Sequence, residues 1–250
     1  MQLTTIDEVL GQLDHIIDVA RQRGSTDGYF AALYRRVTAE VKARVAAGAF
    51  EDNERMAKFD VAFASRYIAA WNEQERGGKP TAAWGLALGC TRKYWPVVLQ
   101  HFILGMNAHI NLDLGIVAAQ IAPGDSILGL KNDFDSINQL LADLVDDVQD
   151  RLAEVWPVMK LIRRVGGHVD DAVINFSIGR ARAHAWAMAQ EMAVITDDRA
   201  RTSYIGGVDS TMSILGGLVL NPGIQGSMIL AMVRLRERGS VSEKLDILLR

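Results

Sequence analysis

The chain has 250 residues, 49% hydrophobic and 23% charged, with a net charge of -3 at pH 7. This is an ordinary globular composition, long enough for one sizeable core, and it lacks the basic footprint of a nucleic-acid-binding protein. The only cysteine, Cys90, excludes a disulfide within the chain and a thiolate-rich zinc site, which points to a reducing, cytoplasmic setting.

Apolar residues recur at helical spacing almost everywhere, and no useful stretch alternates with the period of a strand. The first segment is acidic and amphipathic and lacks the basic start of a signal peptide; Thr5 caps a helix from Ile6 to about Arg23, broken by Gly24 to Gly28. Helices follow from Tyr29 to Ala47 and from Asn53 to Glu75, and a short one from Thr81 to Leu88 comes after the Gly77-Gly78 and Pro80 loop. The next runs from about Tyr94 to Ile121, with Pro96 in its first turn and Pro123-Gly124 as its stop. Asp125 or Ser126 opens a helix to about Leu161, with a break near Pro157. Beyond Gly166-Gly167, helices are expected at Asp170 to Ile195, Tyr204 to Leu220 and Gly226 to Arg238, and Ser242 caps a last one. The expectation is an all-α, single-domain, multi-helix bundle spanning residues 1–250 around a buried central helix.

That central helix carries the chemistry. Its stretch from His101 to Ile121 is the most apolar of the chain, but His101, Asn107, His109, Asn111 and Asp113 make it a poor membrane span, so no transmembrane segment is expected. His101, Gly105, His109 and Asp113 fall on one side by steps of four, and Gln100, Asn107 and Asn111 form a second polar stripe. His109 and Asp113 stand at the spacing from which one helix offers an imidazole and a carboxylate to a cation, or an acid/base pair to a substrate. Gly105 would let a ligand or another backbone approach between the two histidines. The competing reading is structural: a buried histidine satisfied by a carboxylate one turn away, and asparagines bridging neighbouring helices.

Other groups could join this site. Asp133 shares a side with Ile137, Leu140 and Leu144 and so faces the core, where a carboxylate needs a cation or a donor. The metal candidates are therefore His101, His109, Asp113 and Asp133, around one divalent ion. Along Phe176 to Ile195, Arg180, His184 and Glu191 share a stripe with Trp186 beside it, suggesting an anion clamp with His184 as acid or base. Asp60 and Tyr67 lie on one face of their helix, whereas Asp60 and Arg66 do not and are not expected to pair. The catalytic candidates are His109, Asp113, His184 and Tyr67; the pocket candidates are Asp60, Gly105, Asn107, Asn111, Arg180 and Trp186. Trp71, Trp84 and Trp95 read as walls or packing. The chain has no GxSxG, P-loop or strand-linked GxGxxG motif.

The segment LQHFILGMNAHINLDLG at Leu99 to Gly115 resembles the hallmark of a bacterial family catalogued as domain of unknown function 5995. DGYFAALYRRVT at Asp27 to Thr38, FDVAFASRYIAAW at Phe59 to Trp71, NDFDSIN at Asn132 to Asn138 and RARAHAWAMA at Arg180 to Ala189 are similar in kind and order. The resemblance implies a single domain and brings no activity with it. A more distant likeness is to the helical zinc-dependent phospholipase C and nuclease group, which also places HxxxD pairs on buried helices. This chain lacks that group's second HxxxE pair and its N-terminal tryptophan ligand, and has five histidines in all.

These features lead to the expectation of a small-molecule enzyme with a helix-enclosed, largely apolar pocket. Its His/Asp site would act with a divalent metal ion or as an acid/base pair on a hydrophobic or lipid-like substrate, by hydrolysis, cyclisation or isomerisation. The alternatives are a metal-free protein that binds a hydrophobic ligand and a structural or interaction protein whose polar stripes are interhelical bonds.

Overall fold

In the computed structural model the described residues are 3–137, 140, 178–237 and 239–250, and among them every regular element is helical. Helix α1 (Ile6–Arg23) shows how the sequence builds these elements. Thr5 accepts the Glu8 N–H while the Glu8 side chain returns to the Thr5 N–H, and Gly24 ends the helix at φ 62°. Between these caps Ile6, Val9, Leu13, Ile16, Ile17 and Ala20 are buried on one face. Helix α2 (Gly28–Ala46), α3 (Asn53–Glu75, capped by Asp52) and α4 (Ala82–Gly89) follow, with a 3-10 turn at Cys90–Arg92.

The central rod begins at Val98, later than the sequence suggests. Lys93 is extended, and the Gln100 side chain accepts the Val97 N–H at 3.0 Å, so Pro96 lies before the first turn rather than in it. The rod runs as α5 (Val98–Ala108), a π-helical segment (His109–Leu114) and α6 (Gly115–Ile121). Val98–Ile121 is long and apolar enough to cross a membrane, but 94% of its apolar window is buried inside the protein, packed by α2, α3, α4 and the C-terminal helices. A 3-10 segment (Gly124–Leu130) replaces the expected helical start at Asp125, and residues 131–137 are helical. The remainder of the helix expected to reach Leu161, with its Pro157 break, the Gly166-Gly167 separator and the stretch Asp170 to Ser177 lie outside the described residues.

Helix α7 (Ile178–Ala193) packs on α6 and the π segment. Helix α8 (Asp198–Leu220) starts six residues before the expected Tyr204, because Asp197 caps it by accepting the Ala200 N–H at 2.7 Å. It lies against α4 and α5. Helix α9 (Gly223–Arg236) follows at a 64° bend, with Gly223 at φ 78°. Helix α10 (Val241–Leu249) is capped by Ser240 rather than Ser242, since only Ser240 has a glutamate three residues on to complete the reciprocal cap. It packs back on α1 and α2.

Candidate functional site

The π segment coincides with the polar pair. Such single widened turns inside an α-helix recur at functional sites, and here the segment holds both His109 and Asp113. Asp113 is fully buried, and both of its oxygens are engaged. Oδ1 accepts Arg66 Nε from α3 at 2.5 Å; Oδ2 accepts Trp84 Nε1 from α4 at 2.7 Å and faces His109 Nδ1 at 3.4 Å. A carboxylate can only accept, so the imidazole presents its Nδ1 proton to Asp113 and carries its lone pair on Nε2.

An aromatic box holds the ring in this orientation. Phe63 stacks on His109 with centroids 3.6 Å apart and planes 6° from parallel, and Tyr34 meets it edge-on at 4.5 Å. Phe30 and Trp84 close the box at 5.8 and 5.9 Å. Burial in this apolar setting lowers the His109 pKa, and Asp113 opposes the shift by hydrogen bond and charge. The imidazole is therefore neutral at pH 7.

Nε2 is buried and has no hydrogen-bond partner, and His109 lines a cavity of about 80 Å³. Phe30, Leu33, Val37, Phe59, Met106 and Ile110 supply much of its apolar wall. Asp60 lines the same cavity; its Oδ2 is also buried without a partner, and burial pushes its carboxyl up to about 7. Arg182 completes the polar lining. It donates to the Phe134 carbonyl and lies over the Phe134 ring at 4.3 Å, and burial pushes it down to about 10.

Other expected site residues lie elsewhere. His101 belongs to a separate cluster: its Nδ1 is 3.2 Å from Cys90 Sγ, Tyr29 meets its ring edge-on at 5.9 Å, and burial lowers it to about 4. Asp133 is a structural anchor, accepting the Glu51 and Asp52 N–H groups at 2.7 and 3.1 Å and Arg55 Nη2 at 2.8 Å. The metal candidates are thus spread over three places, and among the described residues no three His, Cys, Asp or Glu side chains assemble to hold an ion. His184 is exposed, beside Tyr204 and Thr211 in a groove between α7 and α8, and Arg180 is exposed as well. Trp186 packs on Phe134 beneath Lys131.

Gly105 also has a different role. A methyl group built there would overlap the Phe30 ring, so the missing side chain admits that ring of the aromatic box rather than a ligand. Asn107 donates to the Met212 carbonyl at 2.8 Å and accepts from Asn111 at 3.1 Å, so this stripe ties α5 and the π segment to α8. Gln100 extends the tie to the Val219 carbonyl at 2.8 Å. Tyr67 lies 5.0 Å from both Phe30 and Trp84 and 6.3 Å from His109; its hydroxyl has no partner, and burial raises its pKa. The sequence did not point to Arg66, Phe63 and Tyr34 as neighbours of the pair, and Trp84, expected as wall or packing, also donates to Asp113. All four come from helices far away in the chain, which leaves no local spacing to find them by.

Two structural roles have direct tests. Asp133→Ala leaves two backbone donors and Arg55 without their acceptor and is expected to cost about 2 to 4 kcal/mol, read from urea unfolding. Cys90 is 1% exposed, donates to the Ala87 carbonyl, and its thiol is pushed by burial up to about 12. It is expected to resist a thiol-specific disulfide reagent in the native protein and to react fully once urea unfolds it.

A family model described as a family of unknown function, DUF5995, matches residues 6–222, which includes every segment on which the resemblance was drawn. No curated protein and no solved structure matches the chain.

Proposed function

The chain belongs to the DUF5995 family, whose function is unknown, and we propose that it is an acid–base enzyme that moves a proton on an uncharged, largely apolar small molecule. One observation carries this reading. His109 and Asp60, which line the same apolar cavity, each hold a buried polar atom without a partner: the Nε2 of a neutral imidazole and an oxygen of a carboxyl pushed up to about 7. Buried polar atoms are normally satisfied, and groups with displaced pKa values that share a cleft mark acid–base sites.

The division of labour follows from the protonation states. His109 Nε2 removes a proton from carbon next to a carbonyl of the substrate. The C–H electron pair becomes the new carbon–carbon double bond, and the carbonyl π pair moves onto oxygen. The Asp60 O–H donates a hydrogen bond to that oxygen as charge develops there. The substrate carries a carbon–carbon double bond next to the deprotonated carbon, so the enolate extends over it; the imidazolium returns its proton at the far end, the oxygen pair re-forms the carbonyl, and the product is an isomer with its double bond moved, with no co-reactant needed. Asp113 holds the ring in orientation and faces its positive charge, while Arg66 balances Asp113 in the resting state. No step is assigned to a divalent cation, because Arg66 and Trp84 already engage the Asp113 oxygens. The single buried thiol supports a reducing, cytoplasmic setting.

The test is incubation of the protein in D2O with an apolar-solvent extract of cells, followed by mass spectrometry. A compound that gains one deuterium with wild type and none with His109→Gln is the expected result. A compound retained stoichiometrically by both proteins, with no exchange in either, would support the second reading, a hydrophobic-ligand carrier whose His109 and Asp60 only hold a polar end.

A further inference from the structure

Helices α8 and α9 present a surface unlike the rest of the described residues. Ile224, Met228, Met232 and Leu235 recur at steps of three and four along α9 and are 83%, 64%, 53% and 74% exposed. Ile214 and Leu218 continue the patch on α8, at 70% and 51%. Between Arg201 and Arg234 the only charged residue is Asp209, and its carboxylate is occupied in accepting the Ala82 and Ala83 N–H groups at 2.7 and 2.9 Å. Exposed helices ordinarily carry charge on their outer face.

We infer that this α8–α9 face is the contact between two copies of the chain. Six large apolar side chains, each more than half exposed, present on the order of 600 Å² together, the upper end for a patch on a monomer and approaching the roughly 800 Å² per partner of a stable dimer. The absence of charge selects the occupant. A charged partner would be met by opposite charge, and a lipid surface by basic residues at the rim. Of the nearest cations, Arg201 donates to the Ile195 carbonyl and Arg234 is held by Glu237 and the Tyr94 ring, while Arg236, exposed in the last turn of α9, stands at one end of the patch rather than around it. An uncharged face meeting its own two-fold copy brings no like charges together. Ser203, Gly206, Gly207 and Ser210 on the outer side of α8 let a second helix come close, since a side chain added at either glycine would meet nothing within this chain.

Sedimentation velocity on the full chain tests this at micromolar concentrations. Wild type is expected at twice its 27.4 kDa mass. Met228→Glu with Ile224→Glu on α9, and separately Ile214→Lys on α8, are expected to weaken association at least tenfold with unchanged far-ultraviolet circular dichroism. Two independent variants keep the test decisive if one fails to fold. A wild-type monomer overturns the inference, as does a dimer that both folded variants retain. A monomer that floats with phosphatidylcholine or phosphatidylglycerol vesicles overturns it in favour of a lipid surface, an outcome open because α8 and α9 together have the length and hydropathy of a bent membrane span.

Discussion

Replacing Asp113 with leucine is expected to destabilise the protein by about 3 to 5 kcal/mol and to abolish activity. The carboxylate is the common acceptor for three groups from three elements: Arg66 on α3, Trp84 on α4 and His109 one turn back. Its removal leaves the Trp84 N–H and the His109 Nδ1 proton buried without an acceptor, and each such orphan costs about 1 to 3 kcal/mol. Arg66 softens the loss, because its side chain is 29% exposed and its guanidinium can turn to water. Asp113→Asn separates folding from function. The amide oxygen can still accept from Trp84 and face the imidazole only by turning its NH2 at Arg66, so the stability loss is smaller while the negative charge that faces and orients the ring is gone. Activity is then expected to fall on the order of 10³- to 10⁴-fold, the scale seen when an orienting carboxylate is neutralised in an Asp–His catalytic pair. A purely structural Asp113 would show activity that tracks the folded fraction, measured by urea unfolding beside the deuterium-exchange assay.

Asp60→Asn is expected to gain stability on wild type as pH rises, by about 2 to 3 kcal/mol more at pH 8 than at pH 5. In the unfolded chain this carboxyl ionises near 3.8, and in the folded protein near 7, because burial penalises its charge. Between those values the folded state keeps a proton that the unfolded state has released, so stability falls as pH rises from about 4 to 7. The full penalty, on the order of 4 kcal/mol, is in place above pH 7. His109 acts in the opposite sense. Its folded pKa is lowered, so it removes stability as pH falls below its unfolded value of 6.5. Asparagine cannot ionise, so the difference between Asp60→Asn and wild type isolates the Asp60 contribution. Parallel stability curves from pH 5 to 8 would mean that Asp60 ionises normally and is not the acid of the site.

How far the site could be read from sequence depended on whether its partners were local. Spacing of four residues brings His109 and Asp113 together in any helix, and their apolar neighbours mark the rod as buried; both features were legible. The widened π turn that carries them was not, since its backbone departs from the helix that the apolar pattern predicts. Arg66 and Trp84 reach Asp113 across 47 and 29 residues of chain, and no periodicity within one helix encodes that meeting. Gly105 was legible as a close approach, but its sequence could not say that Phe30 is what approaches. Asp133 was read as core-facing and in need of a cation or a donor; its donors are the backbone before α3 and the Arg55 guanidinium. Capping set the remaining boundaries: Asp197 starts α8 and Ser240, in place of Ser242, starts α10, each by accepting the N–H three residues on.

The account rests on His109 being a neutral base with its lone pair on Nε2, and side-chain ¹⁵N NMR of the histidines, with His109→Gln to assign the signal, measures this directly. The expected result is one neutral imidazole, protonated on Nδ1 and bare at Nε2, that stays in this form from pH 8 down past the ordinary histidine range. A proton on Nε2 at pH 7, in either the neutral or the charged ring, would contradict the proposed chemistry, because the unpartnered nitrogen would then have no lone pair with which to take a proton.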